Sequence, residues 1–223
     1  MTATQADSDL AHLIAGAEQL GVLLAPDAGE KLLAFLDLLY SWNAYARFTA
    51  IERPDAVRLH LLDSLSIVPS VAGVAHIADL GSGAGFPGIP LATCLETAKV
   101  TLIESKRRRC SFLREAVRHL GLSNRVCVVE GDARKRGLLA SRQDAVVARA
   151  FAPPAELLSL AEPLVTASGI LVLMCGGGGA GELRDASAAA GFVLESERRL
   201  VLPYGAEARS IARFRRRCPD CFT

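Results

Sequence analysis

The stretch IADLGSGAGFPGIPLA, from Ile77 to Ala92, constrains this chain more than any other: an apolar run ends in an aspartate, and four glycines and two prolines follow at once. Glycines between a strand and a helix let the backbone take angles closed to other residues, and let a ligand reach the main chain without meeting a Cβ. The bend is therefore expected to carry a small molecule. Gly83, Gly85 and Gly88 satisfy G-x-G-x-x-G, so a nicotinamide or flavin enzyme is one reading. A second frame, Asp79-Leu80-Gly81-Ser82-Gly83-Ala84-Gly85, sets a carboxylate two residues ahead of the first glycine. That acid would repel a pyrophosphate over the turn, whereas S-adenosylmethionine has no phosphate and offers an ammonium group. Asp79 favours S-adenosylmethionine, with the aspartate facing the ammonium.

Two more acids stand at the ends of the next apolar runs. Glu104 closes VTLIES, where a carboxylate can accept ribose hydroxyls, and Asp132 with Ala133 closes VVEGDA, within reach of an adenine amino group. Acids also end strands as ordinary turn residues, so each alone carries little; three in register behind a glycine bend read as a cofactor crevice. From His76 onward, HIADL, KVTLIES, RVCVVEG, DAVVARA and GILVLMC alternate with helical patterns and are followed by FVLESERRLVL and ARSIARFRR. The alternation implies βαβ units, a parallel sheet and a doubly wound α/β fold.

Before His76 the pattern is helical. Leu13, Ile14, Ala17 and Leu20, then Leu32, Phe35, Leu36, Leu39 and Trp42, recur at helical spacing around Pro26 and Gly29. AVRLHLLDSLSIVPSV gives a third helix with Leu59, Leu62, Leu65 and Ile67 inward. Residues 1–70 are expected as a helical cap and 71–223 as the sheet domain.

A net charge of +1 over 223 residues excludes binding nucleic acid by bulk charge, leaving local patches. The six cysteines lack regular spacing, which fits a reducing compartment. The polar start MTATQADSDL lacks the features of a signal peptide, and no apolar run reaches the roughly 20 residues of a membrane span. A cytoplasmic monomer without membrane contact is expected. Cys218-Pro219-Asp220-Cys221 has no second ligand pair, so no metal is expected.

HLLDSL (His60 to Leu65), ADLGSGAGFPGIPLA, LIESKRRRCSFLREAVRHLGL (Leu102 to Leu122), ARAFAP (Ala148 to Pro153) and LPYGAEAR (Leu202 to Arg209) together resemble the bacterial glucose-inhibited division protein B family, also called RsmG. The resemblance covers nearly the whole chain. It implies a Rossmann-like class I S-adenosylmethionine-dependent methyltransferase with an N-terminal helical cap, acting on N7 of a guanine in 16S ribosomal RNA of the small subunit. By position it puts cofactor contacts on Gly81, Phe86, Ala133, Arg134 and Arg149, and gives His60, Asp63 and Ser64 as a signature beside the cofactor mouth. Arg149 and His60 are expected to position the reactants. Guanine N7 presents a lone pair without losing a proton, so the chemistry needs alignment and no general base.

The chain departs from that family at three places. Arg47-Phe48-Thr49 stands for an asparagine-leucine-threonine, Cys175 for a lysine, and Arg134 for a glutamate. Gly176 to Gly179 reads as a loop at the sheet edge, either a substrate lid or a plain linker. Basic residues cluster at Lys106-Arg107-Arg108-Arg109 with Arg114 and Arg118, at Arg134-Lys135-Arg136, and at Arg213 with Arg215 to Arg217. Of these the last, with Arg209, is expected to hold RNA phosphates, with Arg209, Arg213 and Arg215 as the contacts. Three rivals stay open: a divergent member of the family acting on another RNA or a small molecule, a module that binds cofactor without transfer, and a nicotinamide oxidoreductase.

Overall fold

The computed structural model describes residues 3–25, 27–135, 137–149, 152–176 and 183–217. Pro26, Arg136, Ala150 and Phe151 of ARAFAP, Gly177 to Gly181 and the Cys218 to Cys221 tail lie outside the described residues.

Two helices open the chain, α1 (Ala3–Gln19) and α2 (Ala28–Ala46). The expected stripes pack inward: Leu13, Ala17, Leu20, Leu32, Phe35, Leu36 and Leu39 are buried, whereas Ile14 is 40% exposed. A 3-10 turn (Arg53–Asp55) leads into a π-helical turn (Val57–Leu62) that runs on as the short α3 (Asp63–Leu65). Within the π turn the Asp63 N–H reaches back five residues to the Arg58 carbonyl. The wider turn breaks the expected α periodicity: Leu61 joins Leu62, Leu65 and Ile67 in the core, and Leu59 is left half-buried.

All seven β-prone runs are strands: β1 (His76–Leu80), β2 (Lys99–Glu104), β3 (Val126–Glu130), β4 (Gln143–Arg149), β5 (Val165–Gly176), β6 (Phe192–Val201) and β7 (Ala208–Arg216). They form one sheet in the order β3-β2-β1-β4-β5-β7-β6. The first five pair in parallel as expected, but β7 runs antiparallel to both β5 and β6, so the sheet is mixed. The reason is length: only residues 202–207 join β6 to β7, and a parallel pair needs a crossover of about a dozen residues or more.

Four more helices cover the sheet: α4 (Gly88–Cys94), α5 (Arg107–His119), α6 (Pro154–Ala161) and α7 (Leu183–Ala189). Strand residues alternate between two cores. Ile77, Val100, Leu102, Val147 and Ile211 pack with α1, α2, α4 and α5. Ala78, Leu80, Ile103, Val146 and Phe214 pack with α6 and α7. Helices therefore lie on both faces, and the first core joins the opening helices directly to the sheet. Left-handed glycines stop two of those helices: after α5, Gly121 (φ +68) lets the Leu122 N–H reach the Val117 carbonyl at 2.9 Å, and Gly21 (φ +78) does the same after α1. The strand order reverses between β1 and β4, which opens a crevice at their carboxyl ends.

Candidate active site

The glycine bend follows β1 directly. Gly81, Gly83 and Gly85 have φ of +73°, +58° and +95°. The N–H groups of Gly81 and Ser82 bond to the Ile103 carbonyl at 3.0 and 2.9 Å, and the Gly83 N–H to the Glu104 carboxylate at 2.9 Å. A Cβ on Gly83 would meet only a carbonyl oxygen 3.8 Å away, so that side of the turn is open. Gly88 has the opposite need, since its Cβ would fall 2.2 Å from Leu102 and 2.6 Å from the Asp79 carboxylate. Gly83 thus leaves room for a ligand, and Gly88 lets α4 close on β1 and β2.

Asp79 lies beneath this turn. It is fully buried, one carboxylate oxygen accepts the Gly88 N–H at 3.0 Å, and the other makes no hydrogen bond among the described residues. The Asp79 side chain ties α4 to β1 and is not among the residues that line the cavity above, where the ammonium is expected. Burial pushes its pKa up to about 6, against the opposing pull of the Gly88 N–H.

A cavity of about 860 Å³ opens over the bend. Gly81 to Ala84 and Phe86 floor it; Phe48 to Ile51 and His60 form one wall, and Glu104 to Lys106 with Arg109 the other. Glu104 is nearly buried, and its oxygens accept from the Gly83 and Lys106 N–H groups at 2.9 and 2.8 Å. A small continuation along Gly131, Asp132 and Ala133 shares Gly81 and Glu104 with the main cavity. Asp132 accepts the Arg134 N–H at 3.0 Å, whereas the Arg134 guanidinium binds Glu156 of α6 at 2.7 Å.

Phe86 joins the bend to the opening helices. The His60 ring stacks on it with centroids 4.3 Å apart and planes 1° from parallel, and the Arg149 guanidinium lies 5.2 Å from the centre of the same ring. Burial, with the Arg149 charge nearby, pushes the His60 pKa down to about 3, so the ring is neutral. Its Nε2 sits 2.8 Å from the Thr49 hydroxyl. Arg149, at the end of β4, donates to Asp63 at 3.4 Å, and Arg209 of β7 donates to the same carboxylate at 2.8 Å. This triad, a buried Asp63 between two half-buried arginines, borders a second cavity of about 360 Å³, which shares Ile51 and Arg149 with the first.

The structure thus brings Gly81, Gly83, Phe86, Glu104, Asp132, Ala133, His60, Arg149 and Arg209 to one crevice. It does not bring Arg213 or Arg215 there. Both bind Glu195 of β6, and in register Arg209 faces Gly176 at the crevice end of β5 while Arg215 faces Ile170. Six residues of strand, roughly 20 Å, separate the two ends. Of the exposed cations, Lys106 lines the cavity and Arg47 and Arg107 adjoin its lining residues Phe48 and Lys106 in the chain; none of the three has an ion-pair partner among the described residues. Two residues not foreseen from sequence hold the wall: Asn43 brackets Thr49 with two hydrogen bonds of 3.0 Å, and the Tyr40 hydroxyl donates to the Ile51 carbonyl at 2.6 Å. Their signal was two polar groups three residues apart, near the carboxyl end of an otherwise apolar helix.

A family model described as GidB, rRNA small subunit methyltransferase G, matches residues 28–210. The chain belongs to the GidB family. A relative from Myxococcus xanthus, named ribosomal RNA small subunit methyltransferase G, is 36% identical over 208 residues, 91% of this chain and 95% of that one. A relative of the same name from Methylococcus capsulatus is 41% identical over 172 residues, 76% and 82% of the two chains. Among solved structures, the StiE O-MT (residues 961–1257) superposes with a TM-score of 0.60 at 12% identity, covering 82% of each chain. TYW2 of M. jannaschii, solved in complex with AdoMet, does so with a TM-score of 0.52 at 17% identity, covering 69% of this chain and 76% of that one. The fold is the Rossmann-like one of class I methyltransferases that these neighbours share.

Within the GidB family frame, the departures acquire physical meanings. Arg47 caps the carboxyl end of α2 with φ +50°, a left-handed conformation that asparagine tolerates better than arginine, so the usual asparagine there answers a backbone need. Arg134 is occupied by Glu156, and Cys175 lines the second cavity, where burial pushes its thiol up. The main cavity suits a nucleoside cofactor: an open glycine turn, a carboxylate at the strand end, and apolar surface from Phe48, Ile51 and Phe86.

Proposed function

We propose that this chain binds S-adenosylmethionine in the cavity over the glycine bend and methylates N7 of a guanine in 16S ribosomal RNA. The observation that carries this reading is the turn open at Gly83, with Glu104 beside it and Arg149 lining the same cavity. Family membership and the names of the relatives support it. Bound there, the cofactor supplies an electrophilic sulfonium methyl group. Glu104 accepts the ribose hydroxyls, Asp132 and Ala133 border the adenine, and Phe86 with neutral His60 forms the apolar wall. Arg134 takes part by its main chain alone, and Asp79 acts by fixing the turn. Arg149, shared by both cavities, aligns donor and acceptor. No residue needs to remove a proton, so alignment carries the rate, and well-oriented reactants gain roughly 7–11 kcal/mol.

The reading places RNA over the cavity mouth, on Arg47, Lys106 and Arg107, with Arg209 deeper. It takes residues 1–70 as the cap that completes the site, and the enzyme as a cytoplasmic monomer. Incubation with labelled S-adenosylmethionine and small-subunit RNA, naked and assembled, tests it. Label on one guanine N7 is the expected outcome; no label on any RNA form sinks the substrate, and label at another position makes this a divergent member of the family.

A further inference from the structure

The second cavity adjoins the first, with which it shares Arg149 and Ile51. Ile51, Leu59 and Met174 give it apolar walls, and its polar groups are Asp63, Arg149 and Arg209. We propose that it takes a single guanine base turned out of the RNA, and that Asp63 reads the N1–H and N2 amine of that base. This rests on the methyl-transfer reading above and adds which edge of the base is recognised.

Three observations carry it. The carboxylate is nearly buried yet lines the cavity, and its three hydrogen bonds from the arginines, at 2.8, 3.4 and 3.4 Å, leave acceptor capacity in a group with about four lone-pair sites. Two adjacent donors on one edge are what such a carboxylate can pair. Guanine alone among the RNA bases presents a ring N–H beside an exocyclic amine, whereas adenine and cytosine set a ring acceptor there. Finally, two guanidiniums against one carboxylate leave a positive charge over, which suits the adjacent carbonyl O6. Bases turned out of a strand are commonly read on this edge and held between apolar side chains. With that edge on Asp63, N7 lies on the opposite side of the purine, free of the carboxylate.

The test compares short small-subunit RNAs carrying guanosine or inosine at the target position; inosine keeps N7, O6 and N1–H and lacks the N2 amine. Binding is read by fluorescence anisotropy and transfer as kcat/KM. Wild-type protein should lose about 5- to 100-fold on inosine, the loss typical of a broken bidentate base contact. Asp63→Asn should lose a similar factor on guanosine and little more on inosine, with S-adenosylmethionine affinity retained in calorimetry. No inosine penalty in the wild type, or an equal penalty in wild type and variant, overturns the proposal. Should Asp63→Asn lose cofactor affinity by freeing Arg149, Leu59→Trp decides: filling the cavity from its apolar wall should abolish guanosine preference while cofactor binding persists, and unchanged preference overturns the assignment. Guanosine-selective binding without any methyl transfer would sink the transfer reading and leave the base-recognition proposal standing.

Discussion

Gly88 and Asp79 show how closely single residues set the bend. A Cβ at Gly88 would overlap both Leu102 and the carboxylate that holds the helix, so Gly88→Ala should destabilise the fold by about 1–3 kcal/mol, the usual cost of overpacking. An unchanged urea midpoint would count against that packing. Asp79 and His60 give opposite pH dependences. The folded pKa of Asp79 is raised to about 6 from 3.8, so its contribution is present below about pH 4 and lost as the pH rises through 6. The folded pKa of His60 is lowered to about 3 from 6.5, so its contribution is present above 6.5 and lost as the pH falls toward 3. The two slopes partly cancel between them. Asp79→Asn removes the first, so variant stability relative to wild type should climb by about 3 kcal/mol between roughly pH 4 and 7, some two pKa units' worth. Urea titrations across that range check it; a constant gap would show that the buried carboxylate does not titrate there. The glycines and the acid were legible because backbone conformation and burial leave marks on residue type. Which way Asp79 pointed was not, since an acid beneath a turn and one above it have the same sequence.

Elements were read well wherever one period ran unbroken. The seven strands emerged because each is a short β-prone run bounded by turn residues. The π turn did not, because its wider spacing over Val57–Leu62 imitates a noisy α pattern, and that misassigned Leu59, which faces a cavity. The pairing of β7 was open too, although the six-residue loop before it excludes a parallel crossover. In the loop after β3 the Arg134 guanidinium binds Glu156 of α6, a partner that the sequence does not reveal. Arg134→Ala should change cofactor affinity by less than about twofold and leave stability nearly unchanged, as exposed ion pairs contribute little. A large loss of affinity in calorimetry would return the side chain to the crevice.

Across the whole molecule, paired arginines stand at both ends of the sheet, Arg149 and Arg209 on Asp63 at the crevice and Arg213 and Arg215 on Glu195 away from it. Arg213 and Arg215 share the one carboxylate of Glu195, while Arg47, Lys106 and Arg107 are exposed without an ion-pair partner among the described residues. Replacing Lys106 or Arg107 by Gln should lower the slope of log affinity for RNA against log salt by about 1 each, with cofactor binding unchanged. The same change at Arg213 or Arg215 should leave the slope alone, and the reverse pattern would move the RNA to the other end. The run of arginines is visible in the sequence, but Glu195 as the shared partner of Arg213 and Arg215 is not. The partnership of Asp63 with Arg209 was equally hidden, for 146 residues separate them. That separation fixes an order of maturation. Everything lining the first cavity occurs at or before Arg149, while the second waits for Arg209. A chain made from its N-terminus can therefore shape a cofactor pocket well before it can hold a base. A product cut short before the last strand would retain the lining of the first cavity and have no closed place for an acceptor.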